Sequence, residues 1–454
     1  MKTDHDAVRA LRREFSDWRP WITRALVLAF AAFAGLTIVG FTWLTDVALA
    51  GFQRIAGVAW WLPLLWIPLA TGACVWATRR FAPNAAGSGI PQVMAALDTA
   101  VSAPEVRYFV SLRLAVAKLL LTSWGLLAGL SLGREGPSVQ IAAGVLHSVR
   151  RWLPERTAMT EHGLLVAGGA AGIAAAFNAP LAGVMFAIEE LSRRPEQRSS
   201  GLLVAAIVLA GLIAVSVYGN STYFGVIQVR SIGWSLLGPG LLVTLVSGVA
   251  GGLFSRLLLR SLAGSADRIS AWRGRHPVAF AVGCGLAVAV IGLVTEGATW
   301  GSGYQYTRGL LEGTHSAPIV YAFGKLVATW LTVWSGVPGG LFAPSLAIGA
   351  GIGNDIALLL GHADHATLIA LGMAGFLAAA TQAPLTAFII VMEMIDGHAM
   401  VLSLMACALV ASLVSRLLSP PLYASLAHSQ VERLRGGARL KHTATAPQNG
   451  RIVA

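Results

Sequence analysis

Gly133-Arg134-Glu135-Gly136-Pro137 is the stretch on which the reading of this chain turns. Proline is tolerated in the first turn of a helix, because its missing N–H would have had no partner there. Glycine just ahead permits backbone angles that other residues avoid. The stretch therefore predicts a helix that starts here, with free N–H groups at its end. Two further stretches have the same form, Gly87-Ser88-Gly89-Ile90-Pro91 and Gly339-Gly340-Leu341-Phe342-Ala343-Pro344. Free N–H groups and the positive end of a helix dipole attract anions. The hydroxyl of Ser88 adds a neutral donor, and a site of neutral donors holds an anion firmly enough to select it while still releasing it. Glycine and proline also kink membrane helices with no further consequence. Three such helix starts in one chain favour a site.

The surrounding sequence places these helix starts in a bilayer. Of 454 residues, 56% are hydrophobic and 12% are charged, where soluble domains carry about 25% charged residues. Apolar runs long enough to span, roughly 20 residues each, recur at Trp21–Ala50, Trp60–Thr78, Leu202–Val217, Gly233–Phe254, Val278–Val294 and Met400–Leu418. The first is too long for a signal-peptide core of about 7–15 residues, so it reads as a membrane helix behind a charged arm at 1–19. The 51 glycines suit close helix packing where lipid gives no hydrophobic drive between helices. Cys74, Cys284 and Cys407 sit inside apolar runs and read as small buried hydrophobes.

The net charge of +12 is concentrated in connections such as Arg79–Arg80, Arg150–Arg151, Arg193–Arg194 and Arg256–Arg275, and in the tail Arg433–Lys441. No nucleic-acid module or zinc spacing accompanies it. It reads as topology under the positive-inside rule, which puts both termini in the cytoplasm. The tail at 429–454 is basic and polar, is expected to be disordered, and is too short for a regulatory domain. An intramembrane enzyme would need a nucleophile–base pair or a metal cluster, and no His-Glu-x-x-His spacing occurs. No metal or cofactor is expected.

The chain repeats itself. Gly87-Ser88-Gly89 recurs as Gly301-Ser302-Gly303, and Lys118 and Pro137 recur as Lys325 and Pro344, both 207 positions on. Ala179-Pro180-Leu181 and Glu189 recur as Ala383-Pro384-Leu385 and Glu393, both 204 positions on. One duplication fits, with halves near 20–218 and 235–428 joined through Gly219–Ile232. Duplicated halves are the ground plan of transporters, with a site between the halves near the midplane.

Glu135 is the sharpest residue in this frame. An ionisable side chain at membrane depth is costly and usually functional. As an anion among anion-binding N–H groups it competes with the ligand, and once protonated it leaves, which makes it both gate and proton carrier. The competing reading is a capping glutamate paired with Arg134. Glu189 and Glu190 end the run Leu181–Ile188 and face different ways on a helix. Glu189 shares a structural role with its repeat partner Glu393. Glu190 taken alone reads as a helix-end charge.

Gly87–Pro91, Gly133–Pro137 and Gly340–Pro344, together with Asn178–Gly183 and Pro421-Leu422-Tyr423, resemble the signature stretches of the CLC chloride channel and transporter family. The resemblance runs from about 20 to 428. It implies an all-α, inverted-repeat membrane fold of tilted and broken helices, a homodimer with one pore per subunit, and residence in a bacterial inner membrane. It implies chloride contacts from the hydroxyls of Ser88 and Tyr423 and from the N–H groups of Leu341 and Phe342. The full expected chloride-binding set is Ser88, Gly89, Ile90, Arg134, Glu135, Gly136, Leu341, Phe342 and Tyr423. It implies that Glu135 is the external gate and Glu190 the internal proton-transfer acid, with Lys118 near the internal pathway. Met94 stands where some members carry a glutamate. Members that prefer fluoride or nitrate tend to replace the serine of the first motif, so Ser88 points to chloride. The resulting expectation is a chloride/proton exchanger with chloride, protons, lipid and a second subunit as partners. The alternative is a passive chloride channel, which commonly lacks an acid at the position of Glu190. The expected dimer interface is 177–217 with 383–417, probed at Leu202 and Ile207.

Overall fold

In the computed structural model, residues 18–154, 159–192, 200–219, 224, 234–264, 268–314, 320–361 and 364–445 are described, with side chains to 436. The first half contains α1 (Trp18–Val58), α2 (Leu62–Phe81), α3 (Ile90–Ala96), α4 (Val106–Phe109), α5 (Leu112–Leu127), α6 (Glu135–His147), α7 (Glu161–Ala176), α8 (Pro180–Phe186) and α9 (Ser200–Tyr218). The second contains α10 (Leu237–Ala263), α11 (Arg268–Arg275), α12 (Pro277–Val294), α13 (Tyr304–Leu311), α14 (Tyr321–Ser335), α15 (Phe342–Leu359), α16 (His365–Thr381), α17 (Pro384–Ile395) and α18 (Val401–Leu418). A final helix, α19, covers Leu422–Thr445. The tail therefore does not become irregular at 429. Leu426, Ala427, Val431 and Leu434 place apolar side chains against the core and carry the helix onward. The arm before Trp18 and the connector at 220–232, apart from Phe224, lie outside the described residues.

Among the described residues, seven helices are long and apolar enough to cross a bilayer. Their outer surfaces are apolar too, with Trp43, Leu120, Leu286 and Leu417 all exposed, the pattern of a protein whose solvent is lipid. The chain is an integral membrane protein. At 41 residues, α1 would measure about 60 Å. That is twice the hydrocarbon thickness of about 30 Å, so α1 either tilts or extends beyond the hydrocarbon, where Arg19, Arg24, Gln53 and Arg54 near its ends suit the interface.

The interior belongs to α6, α7, α15 and α16, which are buried along nearly their whole length. Small residues set their separation. A methyl on Gly349 would overlap the carbonyl of Gly372, and one on Gly172 would overlap that of Ser138. All three cysteines are buried and unpaired.

The two halves meet through reciprocal contacts. Gly133 N–H donates to Gly340 O (2.8 Å) and Gly340 N–H donates to Gly133 O (2.7 Å). The Glu189 carboxylate accepts from Leu385 N (3.0 Å) and Thr386 N (2.7 Å), while Glu393 accepts from Leu181 N (3.2 Å) and Ala182 N (2.7 Å). Each glutamate thus caps the Pro-initiated helix of the other half. Each repeat also holds its glycine loop from below with a buried lysine. Lys118 Nζ donates to Ala85 O (2.7 Å) and Gly87 O (2.6 Å), and Lys325 Nζ donates to Thr299 O (3.0 Å) and Gly301 O (2.7 Å).

One expectation about the outer surface fails. Ile207 has no exposed area, because it is packed inside its own subunit, and Leu202 rests partly buried beside Leu164 and Met159. The exposed apolar residues of this region include Leu181, Ile188, Val204, Leu212, Leu402 and Leu413.

Candidate functional site

The helix starts at Glu135 and Phe342 face each other across the Gly133–Gly340 bridge. The loop of Gly87–Gly89 closes the arrangement from a third side, with Gly339 N–H donating to Gly87 O (3.2 Å). The approach is tight enough to require glycine. At Gly89, with φ +111°, a Cβ would stand 2.5 Å from Gly136 O, and a Cβ on Gly136 would run into the Ser88 hydroxyl. Ser88, Glu135, Gly136, Gly340 and Phe342 are therefore brought to one place.

Glu135 has no exposed area. Its Oε2 accepts from Ala343 N–H at 3.4 Å in the first turn of α15, and its Oε1 is buried with no hydrogen-bond partner among the described residues. The carboxylate thus lies at the positive ends of two helices at once, where negative charge is stabilised. Arg134 does not serve it as an ion-pair partner. Its Nη1 reaches across to α1 and donates to Asp46 Oδ1 (2.6 Å), Thr45 Oγ1 (3.3 Å) and Thr42 O (3.4 Å). Asp46 was not anticipated from sequence, although a lone carboxylate inside an apolar run is the signal that could have found it.

The hydroxyls of Ser88 and Tyr423 are both buried and neither has a well-formed hydrogen bond among the described residues. Tyr423 lies within electrostatic reach of Ser88, Glu135 and Glu190 together. Its ring packs against Phe342 at 6.0 Å, and Phe342 in turn meets Phe177 (6.1 Å) and Phe186 (6.3 Å). Two buried hydroxyl donors thus stand against an aromatic wall beside the two helix starts. Leu341 and Phe342 are buried at the beginning of α15, where first-turn N–H groups lack intrahelical partners. Ile90 begins α3 in the same way. Gly89 differs, because its N–H already donates to Gln92 Oε1 (2.9 Å) while Gln92 Nε2 donates to Ala86 O (2.6 Å). The spacing of a helix start and a glutamine three residues later signals such a cap.

A cavity of about 490 Å³ leads to Glu135, lined among others by Thr42, Asp46, Arg134, Asn178, Tyr304 and Arg308. A second, of about 550 Å³, contains Glu190 with Met94, Asp98, His162, Ala424 and His428. Helix α7 begins at the second cavity, at His162, and ends at the first, at Ala175 and Ala176. Its 16 residues separate the cavities by about 24 Å. Glu135 and Glu190 therefore line separate cavities near opposite ends of α7. Glu190 sits on a single π turn, Ala187–Leu191. That turn directs Glu189 to α17 and leaves Glu190 in the cavity. Sequence alone missed His162 and His428, which are remote in the chain and meet only because α19 packs back on the first half.

The voltage gated chloride channel family model matches residues 69–416. The chain belongs to that family. It is 30% identical to the H(+)/Cl(-) exchange transporter ClcA of Citrobacter koseri over 438 residues, covering 92% of this chain and 90% of that protein. The ClcA protein of Salmonella typhi is also 30% identical, over 93% of this chain and 91% of its own length. Among solved structures, a slow cyanobacterial Cl-/H+ antiporter superposes with a TM-score of 0.77 at 25% identity, over 91% of this chain and 99% of that one. A CLC-type fluoride/proton antiporter gives 0.74 at 21% identity, over 88% and 96%, and bears on the fold alone. The fold is the CLC inverted repeat, and its reciprocal Glu189 and Glu393 caps and paired Lys118 and Lys325 are the two halves' shared construction. In this chain the second cavity gathers Met94, Asp98, His162 and His428 around Glu190.

Proposed function

We propose that the protein exchanges chloride for protons across a membrane, with one carboxylate, Glu135, serving as both gate and proton carrier. The observation that carries this reading is the position of that carboxylate, fully buried at the meeting point of two helix N-termini. In its charged form it occupies the place that an anion would take. Proton uptake removes its charge, weakens its hold on the N–H groups, and frees the place for chloride. Chloride is then held by the Ser88 and Tyr423 hydroxyls and by first-turn N–H groups of α3, α6 and α15, at Ile90, Gly136, Leu341 and Phe342. Gly89 contributes its backbone bend, and Arg134 draws anions toward the outer cavity.

Glu190 is the acid that passes protons between the inner cavity and Glu135. An acid in a cavity at the far end of the passage favours exchange over a passive channel, as does the exchange activity for which the ClcA relatives are named. The cavity containing Glu135 opens outward and that containing Glu190 opens to the cytoplasm. Both termini lie on the cytoplasmic side of a bacterial inner membrane. Two subunits associate, each with its own passage. The test is reconstitution in liposomes under an imposed chloride gradient. Uphill proton movement driven by chloride supports exchange; chloride flux without it leaves a channel.

A further inference from the structure

A third cavity, of about 500 Å³, lies away from the passage between the C-terminal end of α2, the short helix α11, the start of α12 and the final helix α19. Arg79, Arg273 and Arg433 all line it, together with Thr78, Ser270 and Ser335. No carboxylate lines it among the described residues, and none of the three arginines has an ion-pair partner there. Arg273 Nη1 donates to Ser261 O (3.0 Å) and Arg433 Nη2 donates to Leu262 O (3.3 Å), carbonyls in the last turn of α10. A guanidinium has five N–H donors, so these contacts orient the two side chains and leave most of their capacity unused. Burial, followed by the thiol of Cys284 acting the other way and the like charges of Arg433 and Arg79, sets Arg273 below its ordinary range. Three crowded guanidinium groups repel each other unless an anion lies among them.

The setting identifies the anion. Helix α11 is amphipathic, turning Ser270, Arg273 and Gly274 toward the cavity and exposing Ile269 and Trp272. Trp76 and Phe81 are exposed at the end of α2 beside it. Exposed tryptophans next to arginines mark the level of lipid head groups. A basic pocket between helices at that level suits a phosphate, which guanidinium groups bind through paired hydrogen bonds. We propose that this cavity binds a phosphate oxyanion, supplied by the head group of an acidic phospholipid in the adjoining leaflet. Its acyl chains would lie along Trp76, Ile269 and Trp272. The inference needs only the membrane setting and stands apart from chloride exchange.

The test is native mass spectrometry of the full-length protein released from membranes of phosphatidylglycerol and phosphatidylcholine. Wild type is expected to retain phosphatidylglycerol preferentially, and Arg79→Gln, Arg273→Gln and Arg433→Gln to lower that retention by about fivefold each. Arg79 makes no hydrogen bond to be broken among the described residues, so Arg79→Gln guards against a folding artefact. Arg273→Lys, which keeps the charge, should recover part of the loss. Equal retention of the two lipids, or unchanged retention in all three glutamine variants, overturns the proposal. Displacement of the retained lipid by millimolar inorganic phosphate at constant ionic strength assigns the cavity to soluble phosphate and overturns the lipid source. A raised KM for chloride that is the same in neutral and acidic membranes makes the cavity an antechamber for chloride and also overturns it.

Discussion

Glu135→Gln replaces a titrating group by a neutral amide of the same shape. The amide cannot compete for N–H groups as a carboxylate does, so the passage is left in its protonated form. Chloride flux should continue and chloride-driven proton uptake should fall to the level of protein-free liposomes. Retained coupling in a pH-electrode assay would remove Glu135 from the proton path. Glu190→Gln should also abolish proton movement while chloride flux persists, because the amide cannot relay. Its neighbour is the control. Glu189 faces the other way and is engaged by two backbone N–H groups, so Glu189→Gln should leave the chloride-to-proton ratio unchanged. If Glu189→Gln uncouples and Glu190→Gln does not, the two roles are exchanged.

Helix ends carry the next scale of argument. Glu189 and Glu393 each satisfy two free N–H groups at the start of a helix in the opposite half. Loss of a helix cap costs about 1 kcal/mol. Glu189→Gln and Glu393→Gln should each lower the unfolding temperature in detergent, by similar amounts. A large shift in one with none in the other would show that the two caps are not equivalent. The sequence announced these elements well where chemistry was local. Proline after glycine marked the starts of α3, α6 and α15, and the constant offsets marked the repeat. It was silent where a contact depends on a distant element. Asp46 meets Arg134 only because α1 crosses α6, and His428 shares a cavity with His162 only because α19 packs back on α3. Ile207 shows the same limit, since an apolar residue on an apolar helix does not tell whether it faces lipid, a partner or its own subunit. The expected disorder fails over 429–445, where polar composition suggested it, because Val431 and Leu434 carry the docking face of α19 begun by Leu426 and Ala427.

At the scale of the whole molecule, the proposed pairing of subunits depends on exposed apolar surface. The proposed two-fold contact, the commonest symmetric solution, would use exposed apolar residues on α8, α9 and α18 and on the π turn, among them Ile188 and Leu413. Ile188→Trp combined with Leu413→Trp should overfill that contact and yield monomers by light scattering. Because each subunit contains both cavities and the residues between them, those monomers should still exchange chloride for protons. Monomers that are folded yet inert would mean that a passage needs both subunits.

The reciprocal contacts between the halves have a historical reading. Residue i touching j while j's counterpart touches i's is the signature of two identical pieces meeting about a two-fold axis. The Glu189 and Glu393 caps and the Gly133–Gly340 bridge obey that rule inside one polypeptide. A half-length ancestor inserted in both orientations would have made the same contacts between separate chains, and fusion of its gene would have fixed their opposite orientations. The seam is still present in the protein. Cut between 219 and 234 and coexpressed, the two fragments should find each other in the bilayer and rebuild the passage.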